Sequence, residues 1–296
     1  MDFRAISPSE LETWTRLCGN VFGGDGTYFY NHFTNDPDAD CGGIFVASDG
    51  DKLVSSVRVF TRRIFIDGNK TGMGGIGEVC TLPEYRGKGI NTRLLEMAVV
   101  YMRRNRLETS LLFTGSNHHY AHTGWFTVPR RRVMLDIKGT PADGFDFIDT
   151  FSLPVSSAVR FYNQNAVRYS GPIIRSEEYY RRWILKSGET HRALVRSGEI
   201  AACAVYNISE KVLNLSEYTG NQTLLPSLLS SAAAENTAER ASVPAVYAPE
   251  NTDFSESFGL MARLNLPFKA GNKTIVSSGD LAAALSDCVF FDIDGF

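Results

Sequence analysis

The chain has 296 residues, 43% of them hydrophobic and 21% charged, with a net charge of −3. That composition suits a folded globular protein long enough for two ordinary domains, and its near-neutral balance implies no nucleic-acid or membrane partner; no apolar run approaches a membrane span. Five cysteines, at positions 18, 41, 80, 203 and 288, lack metal-type spacing, and the first residues lack the layout of a signal peptide, so the expectation is free thiols, a cytoplasmic address and no metal.

In chain order, residues 2–6 predict a strand. Pro8 and the run Leu11, Trp14, Leu17, Val21 predict an amphipathic helix, and Thr27–Phe33 a second, aromatic-rich one. Strands are expected at 43–48, 53–62 and 63–66, with turns at Asp49-Gly50-Asp51 and Asp67-Gly68-Asn69. The stretch Gly72-Met73-Gly74-Gly75-Ile76-Gly77 matches a dinucleotide fingerprint letter for letter. The segment after Gly77 is short, β-like and ended by Pro83, not a helix, so the glycines read as a hairpin turn with a bulge. Next come a strand, the turn Arg86-Gly87-Lys88-Gly89 and an amphipathic helix in which Ile90, Leu94, Ala98 and Met102 recur at four-residue steps. A strand at 109–114, a short helix at 117–123 and strands at 125–129 and 131–137 complete a first domain, residues 1–138.

Residues 139–154, rich in Gly, Pro, Asp and Thr, read as a linker. The remainder, 155–296, predicts helices at 155–169 and 176–185, strands at 191–196, 201–208 and 212–218, a helix at 224–236, strands near 245–248 and 261–266, a helix at 278–285 and a last strand at 288–293. This half repeats the strand-strand-strand-helix-strand rhythm of the first, so the fold class is α/β with mixed sheets.

The turn at Arg86–Gly89 is the most informative feature. A Gly-rich turn entering a helix aims backbone N–H groups and the helix dipole at an anion, and Arg86 and Lys88 add full charges. A P-loop is excluded because Gly89, not Ser or Thr, comes after Lys88. The pattern resembles the acyl-CoA-binding motif of the GNAT N-acetyltransferases, [Q/R]-x-x-G-x-[G/A]: Arg86 and Gly89 agree with it, while Asn91 replaces the usual Gly or Ala. The resemblance implies acetyl-CoA as co-substrate, held by Val79, Cys80 and Thr81 on the preceding strand and by Arg86, Gly87, Lys88, Gly89, Ile90 and Asn91. With the second half, which lacks such a turn at Tyr218–Thr223, the chain resembles the enhanced intracellular survival (Eis) type. In that type an active GNAT domain precedes a degenerate one; here a short C-terminal segment would come last. The activity implied is N-acetyl transfer to a primary amine: a small basic molecule, an aminoglycoside-like or polyamine-like compound, or a lysine. The same resemblance allows a homo-oligomer.

Acetyl transfer needs an acid for the leaving thiolate and a base for the amine. Tyr120 takes the position of the family's tyrosine acid. His118 and His122, four apart, invite a zinc reading, but no Glu, Asp or Cys lies close after them to finish a site; His119 or His122 as a base suits imidazole chemistry better. Two further candidates for the base remain: Glu78, at the start of the motif strand, and the terminal carboxylate of Phe296, which enters the active site in Eis-type proteins. Asp292 and Asp294 could equally contact the amine. The alternative is a CoA-binding regulatory or scaffold protein whose chemistry has lapsed, consistent with Asn91 and the degenerate second half.

Overall fold

The structure is a computed structural model and describes residues 1–249, 252–290 and 294–295. The first half runs β1 (Asp2–Ala5), α1 (Leu11–Phe22), α2 (Thr27–Asn35), β2 (Ile44–Asp49), β3 (Lys52–Ile66), β4 (Asn69–Thr81), α3 (Ile90–Arg104), β5 (Thr109–Phe113), α4 (His118–Ala121), β6 (Phe126–Thr127) and β7 (Arg130–Asp136). The second runs β8 (Asp146–Asp149), α5 (Val155–Ala166), α6 (Glu177–Arg182), β9 (Thr190–Arg196), β10 (Glu199–Ser209), β11 (Val212–Gly220), α7 (Leu225–Asn236), β12 (Arg240–Pro244), β13 (Ser255–Ser257), β14 (Leu260–Leu264), β15 (Phe268–Ala270), β16 (Lys273–Ile275) and α8 (Ser278–Ala284).

Two mixed seven-stranded sheets result, in the orders β1-β2-β3-β4-β5-β14-β6 and β13-β7-β12-β11-β10-β9-β8; β15 and β16 pair by themselves. Each sheet has one parallel pair bridged by a helix: β4 with β5 across α3, and β11 with β12 across α7. The repeat read from the sequence is therefore built twice. The halves are also reciprocally stitched. β14, from the second half, lies between β5 and β6, while β7, from the first, lies between β12 and β13. Sheet membership thus does not change at residues 138–139, and residues 139–154 are more than a linker, since β8 forms an edge of the second sheet on β9.

Three local expectations are corrected. Gly72–Gly77 is not a turn but the middle of β4; the hairpin turn is at Asp67-Gly68. Glycines are needed there because the end of α3 and its exit loop press on the strand: a Cβ at Gly72 would lie 2.6 Å from the Arg106 carbonyl oxygen, and one at Gly74 would collide with the Met102 sulfur. The bulge falls beyond the glycines. Ser56 faces Cys80 and Arg58 faces Gly77, so Glu78 and Val79 oppose Val57 alone, and Glu78 takes φ +51°. The strand expected near 245–248 is instead Arg240–Pro244, with a 3₁₀ turn after it. Of the expected last strand, 288–290 is not strand, and 291–293 lie outside the described residues.

The stripe read on α3 packs as expected: Ile90, Leu94, Leu95, Ala98, Val99 and Met102 are buried. Against it lie Val57, Val59, Ile76 and Leu112 of the sheet. This fixes the start of α3 at the end of β4. The ladder between β4 and β5 stops at Ile76 and Leu112, although β4 runs on to Thr81. The last residues of β4, 77–81, are left unpaired on that side among the described residues, and a cavity opens in the gap.

Candidate active site

That cavity, about 650 Å³, is bounded by Val79–Thr81 of β4, the stretch Tyr85–Thr92, Val21 and Phe22 at the end of α1, and His119 and Tyr120 of α4. Gly87 and Gly89 have φ of +73° and +71°, the left-handed conformation that favours glycine, and a Cβ on either would meet nothing within 4 Å. Gly89 is the N-cap of α3 and offers no side-chain cap, so the first N–H groups of this 15-residue helix are open to an anion. The Arg86 Nε donates to the Thr81 carbonyl at 3.1 Å, bracing the turn against β4. The Lys88 ammonium lies 4.9 Å from the Tyr85 ring centre.

The sequence-predicted binding residues Val79, Cys80, Thr81, Arg86, Gly87, Lys88, Gly89, Ile90 and Asn91 all line this one cavity. Cys80 and Ile90 are buried in the core, so backbone is what they can offer a ligand. Asn91 differs from expectation in a useful way. The strained backbone angles fall on Gly87 and Gly89, and Asn91 lies inside α3. Its Oδ1 is buried and makes no hydrogen bond among the described residues. The departure from Gly or Ala therefore costs the turn nothing in backbone strain.

Tyr120 faces the same cavity from α4, its ring edge-on to Trp125 with centres 6.5 Å apart. Burial pushes its phenol above the usual value, against a weaker pull from Thr114, so it stays protonated near neutrality and is suited to donating. Burial, with His122 and His118 nearby, pushes His119 below the usual imidazole value. His122 Nε2 lies 3.1 Å from the Thr92 hydroxyl, tying α4 to α3. Among the described residues no group of three His, Cys, Asp or Glu side chains is arranged to hold a metal.

Glu78 does not line this cavity. The bulge turns its carboxylate the other way, where Arg58 Nη1 donates to it at 3.3 and 3.4 Å and His32 Nδ1 lies 2.8 Å from Oε1. Arg58 also reaches Asp36 at 2.8 Å, and Arg62 binds that carboxylate at 2.9 Å, so a chain of buried charges runs under α2. Beyond His32 a second cavity of about 500 Å³ opens between the halves, bounded by Tyr28, Asn31 and Asn35 of α2 and by Arg182, Trp183, Lys186, Ser187, Glu189 and Gly295. Glu78 is thus the partition between two cavities: Val79 lines the first, and His32 lines the second. His32 was missed in the sequence, because its partner is 46 residues away and nothing in the Thr27–Phe33 run marks it apart from the aromatics. Phe296 and Asp292 lie outside the described residues. Gly295 borders the second cavity, and Asp294 is held by Arg175, which donates to it at 2.7 and 3.1 Å and to Glu217 at 2.5 Å.

A family model described as the acetyltransferase (GNAT) domain matches residues 2–128. An uncharacterized N-acetyltransferase of Archaeoglobus fulgidus is 27% identical over an alignment of 139 residues that covers 45% of this chain and 94% of that protein. Among solved structures, a GCN5-related N-acetyltransferase from Anabaena variabilis superposes with a TM-score of 0.71 at 12% identity, over 89% of this chain and 72% of that one. Eis1 from Mycobacterium abscessus superposes with a TM-score of 0.67 at 11% identity, over 90% and 74%. At such identities these two share the fold, and they share it across both sheets.

Proposed function

We propose, from the premise that residues 2–128 form an acetyltransferase domain of GNAT type, that the protein transfers the acetyl group of acetyl-CoA to a primary amine by direct attack. One observation carries the reading: the unpaired end of β4, the Gly87–Gly89 entry to α3 and the Tyr120 phenol converge on a single cavity. In this reading the pyrophosphate takes the N–H groups at the start of α3, with Arg86 and Lys88 beside it. The pantetheine arm pairs with the open edge of Val79–Thr81, whose N–H groups also polarise the thioester carbonyl. The amine nitrogen attacks, a tetrahedral intermediate collapses, and Tyr120 gives its proton to the departing thiolate.

The acceptor belongs in the second cavity, across the Glu78 partition. Its lining includes the aromatic residues Tyr28, His32 and Trp183, and the acidic residue Glu189. Aromatic faces with an acidic residue beside them suit a cationic amine such as a polyamine or a lysine side chain.

The test is calorimetric titration with acetyl-CoA and then thiol release across a panel of amines. Micromolar binding with release on at least one amine supports the reading. Binding without release on any of them points instead to a CoA-binding regulatory protein, and no binding removes the donor assignment.

A further inference from the structure

We propose that His32 is the general base for the acceptor amine and that Glu78 is a positioning residue acting through it. The inference deepens the acetyl-transfer reading and rests on it.

The geometry is that of a base and its orienting carboxylate. His32 Nδ1 is 2.8 Å from Glu78 Oε1, and Nε2 makes no hydrogen bond among the described residues while the ring borders the second cavity. The Glu78 side chain is only 4% exposed, and Arg58 Nη1 donates to both of its oxygens at 3.3 and 3.4 Å while Oε1 also faces the His32 ring. An accepting carboxylate fixes the imidazole proton on Nδ1, and the Nε2 lone pair then faces the cavity. Glu78 could serve as the base itself only by giving up that pairing, and its carboxylate opens into neither cavity. The imidazole is clamped by Tyr28, stacked at 5.2 Å between ring centres, by Trp183 at 4.6 Å and by Phe60 at 5.3 Å, so its direction is set by packing from both halves.

Position completes the case. Glu78 adjoins Val79, the first residue of β4 on the donor cavity, so the residue that orients His32 is the chain neighbour of one that borders the donor. The charges facing the ring are Glu78 from β4, with Arg58 of β3 behind it, and Arg182, Lys186 and Glu189 on the far wall. In the step, the bound ammonium passes one proton to His32 Nε2. Its nitrogen forms the new C–N bond, the C–S bond breaks and Tyr120 protonates the thiolate; the second proton shed by the nitrogen replaces, through solvent, the one Tyr120 gave, and the imidazolium releases its proton to solvent.

His32→Asn places an amide N–H where Nδ1 was, keeping the bond to Glu78 and removing the base. The expected result is unchanged acetyl-CoA affinity, a fall in kcat/KM of about 100-fold or more, and loss of the acid limb of the pH–rate profile. Glu78→Gln should lower kcat less than His32→Asn does and leave the KM for the amine unchanged, the split expected of a residue that orients the base without touching substrate. Wild-type rate and pH profile in His32→Asn would overturn the inference and leave acetyl transfer standing. A wild-type protein that binds acetyl-CoA yet releases no thiol with any amine would overturn both. Should His32→Asn fail to fold, the wild-type profile decides: an imidazole base requires kcat/KM to fall on acidification roughly between pH 8 and 5, and a flat profile there refutes it.

Discussion

Substituting Gly89 by Ala separates the phosphate seat from the backbone that builds it. Gly89 has φ +71°, and a Cβ there meets no protein atom within 4 Å, so the variant costs only the left-handed conformation, about 1–2 kcal/mol. That Cβ would nevertheless stand at the open N-terminus of α3, where an anion must approach the backbone closely. Losing one charge-assisted hydrogen bond to a phosphate is worth about 1.5–3 kcal/mol, which lowers affinity by roughly 10- to 150-fold. Gly50 supplies the matched control: φ +58°, open space at its Cβ, and a place in the turn between β2 and β3 that borders neither cavity of the site. Both variants should lose similar stability in thermal melts. Calorimetry should show weaker acetyl-CoA binding for Gly89→Ala and wild-type binding for Gly50→Ala. If both bind acetyl-CoA within twofold of wild type while losing the expected stability, the N-terminus of α3 is not the seat.

Tyr120→Phe keeps the ring against Trp125 and removes the proton; acetyl-CoA affinity should hold while kcat falls by about 100-fold or more, and an unchanged kcat removes the acid assignment. Arg175→Met leaves Glu217 and Asp294 buried without their shared cation, a loss of about 3–5 kcal/mol and of roughly 6–15 °C in Tm; superimposable melting curves would refute it. The pH dependence of that loss has a definite sign. Burial raises Glu217 above its usual 4.5 even against the pull of Arg175, and removing Arg175 raises it further. A raised carboxyl means that the folded chain holds more protons than the unfolded one, so the variant's deficit grows as the pH rises above 4.5 and shrinks on acidification toward it.

The proposed donor half of the site was legible because its signals are local. The Arg86–Gly89 turn, the stripe from Ile90 to Met102 and Tyr120 all lie within 35 residues, and each element is marked by its own spacing. The proposed acceptor half was not, because it is made by contacts between distant segments: His32 with Glu78 and α2 with Trp183. Glu78 was visible as a carboxylate near the motif. Its role could not be read, since the bulge that turns it away from the donor cavity depends on the register with Ser56 and Arg58. The glycines at 72 and 74 misled for a similar reason: local preference marks them as a turn, whereas their use is to let α3 lie close on the sheet. Strands are readable at 131–137 and 261–266, close to the observed Arg130–Asp136 and Leu260–Leu264, but nothing in the sequence says which sheet takes them.

That reciprocal placement of β7 and β14 bears on biosynthesis. The strand between β5 and β6 is not translated until about residue 264, so the first sheet cannot close while only its own half has left the ribosome. At roughly 5–20 residues per second, the interval between Thr127 and Leu260 is on the order of ten seconds. Through that time β5 and β6 stand apart with an unfilled slot between them. A fragment ending at 138 would carry the complete acyl-donor motif and still lack the strand that closes its sheet, so a gene cut at the apparent domain boundary would yield an edge that invites pairing with other chains. The two halves are better regarded as one unit of synthesis than as separable modules.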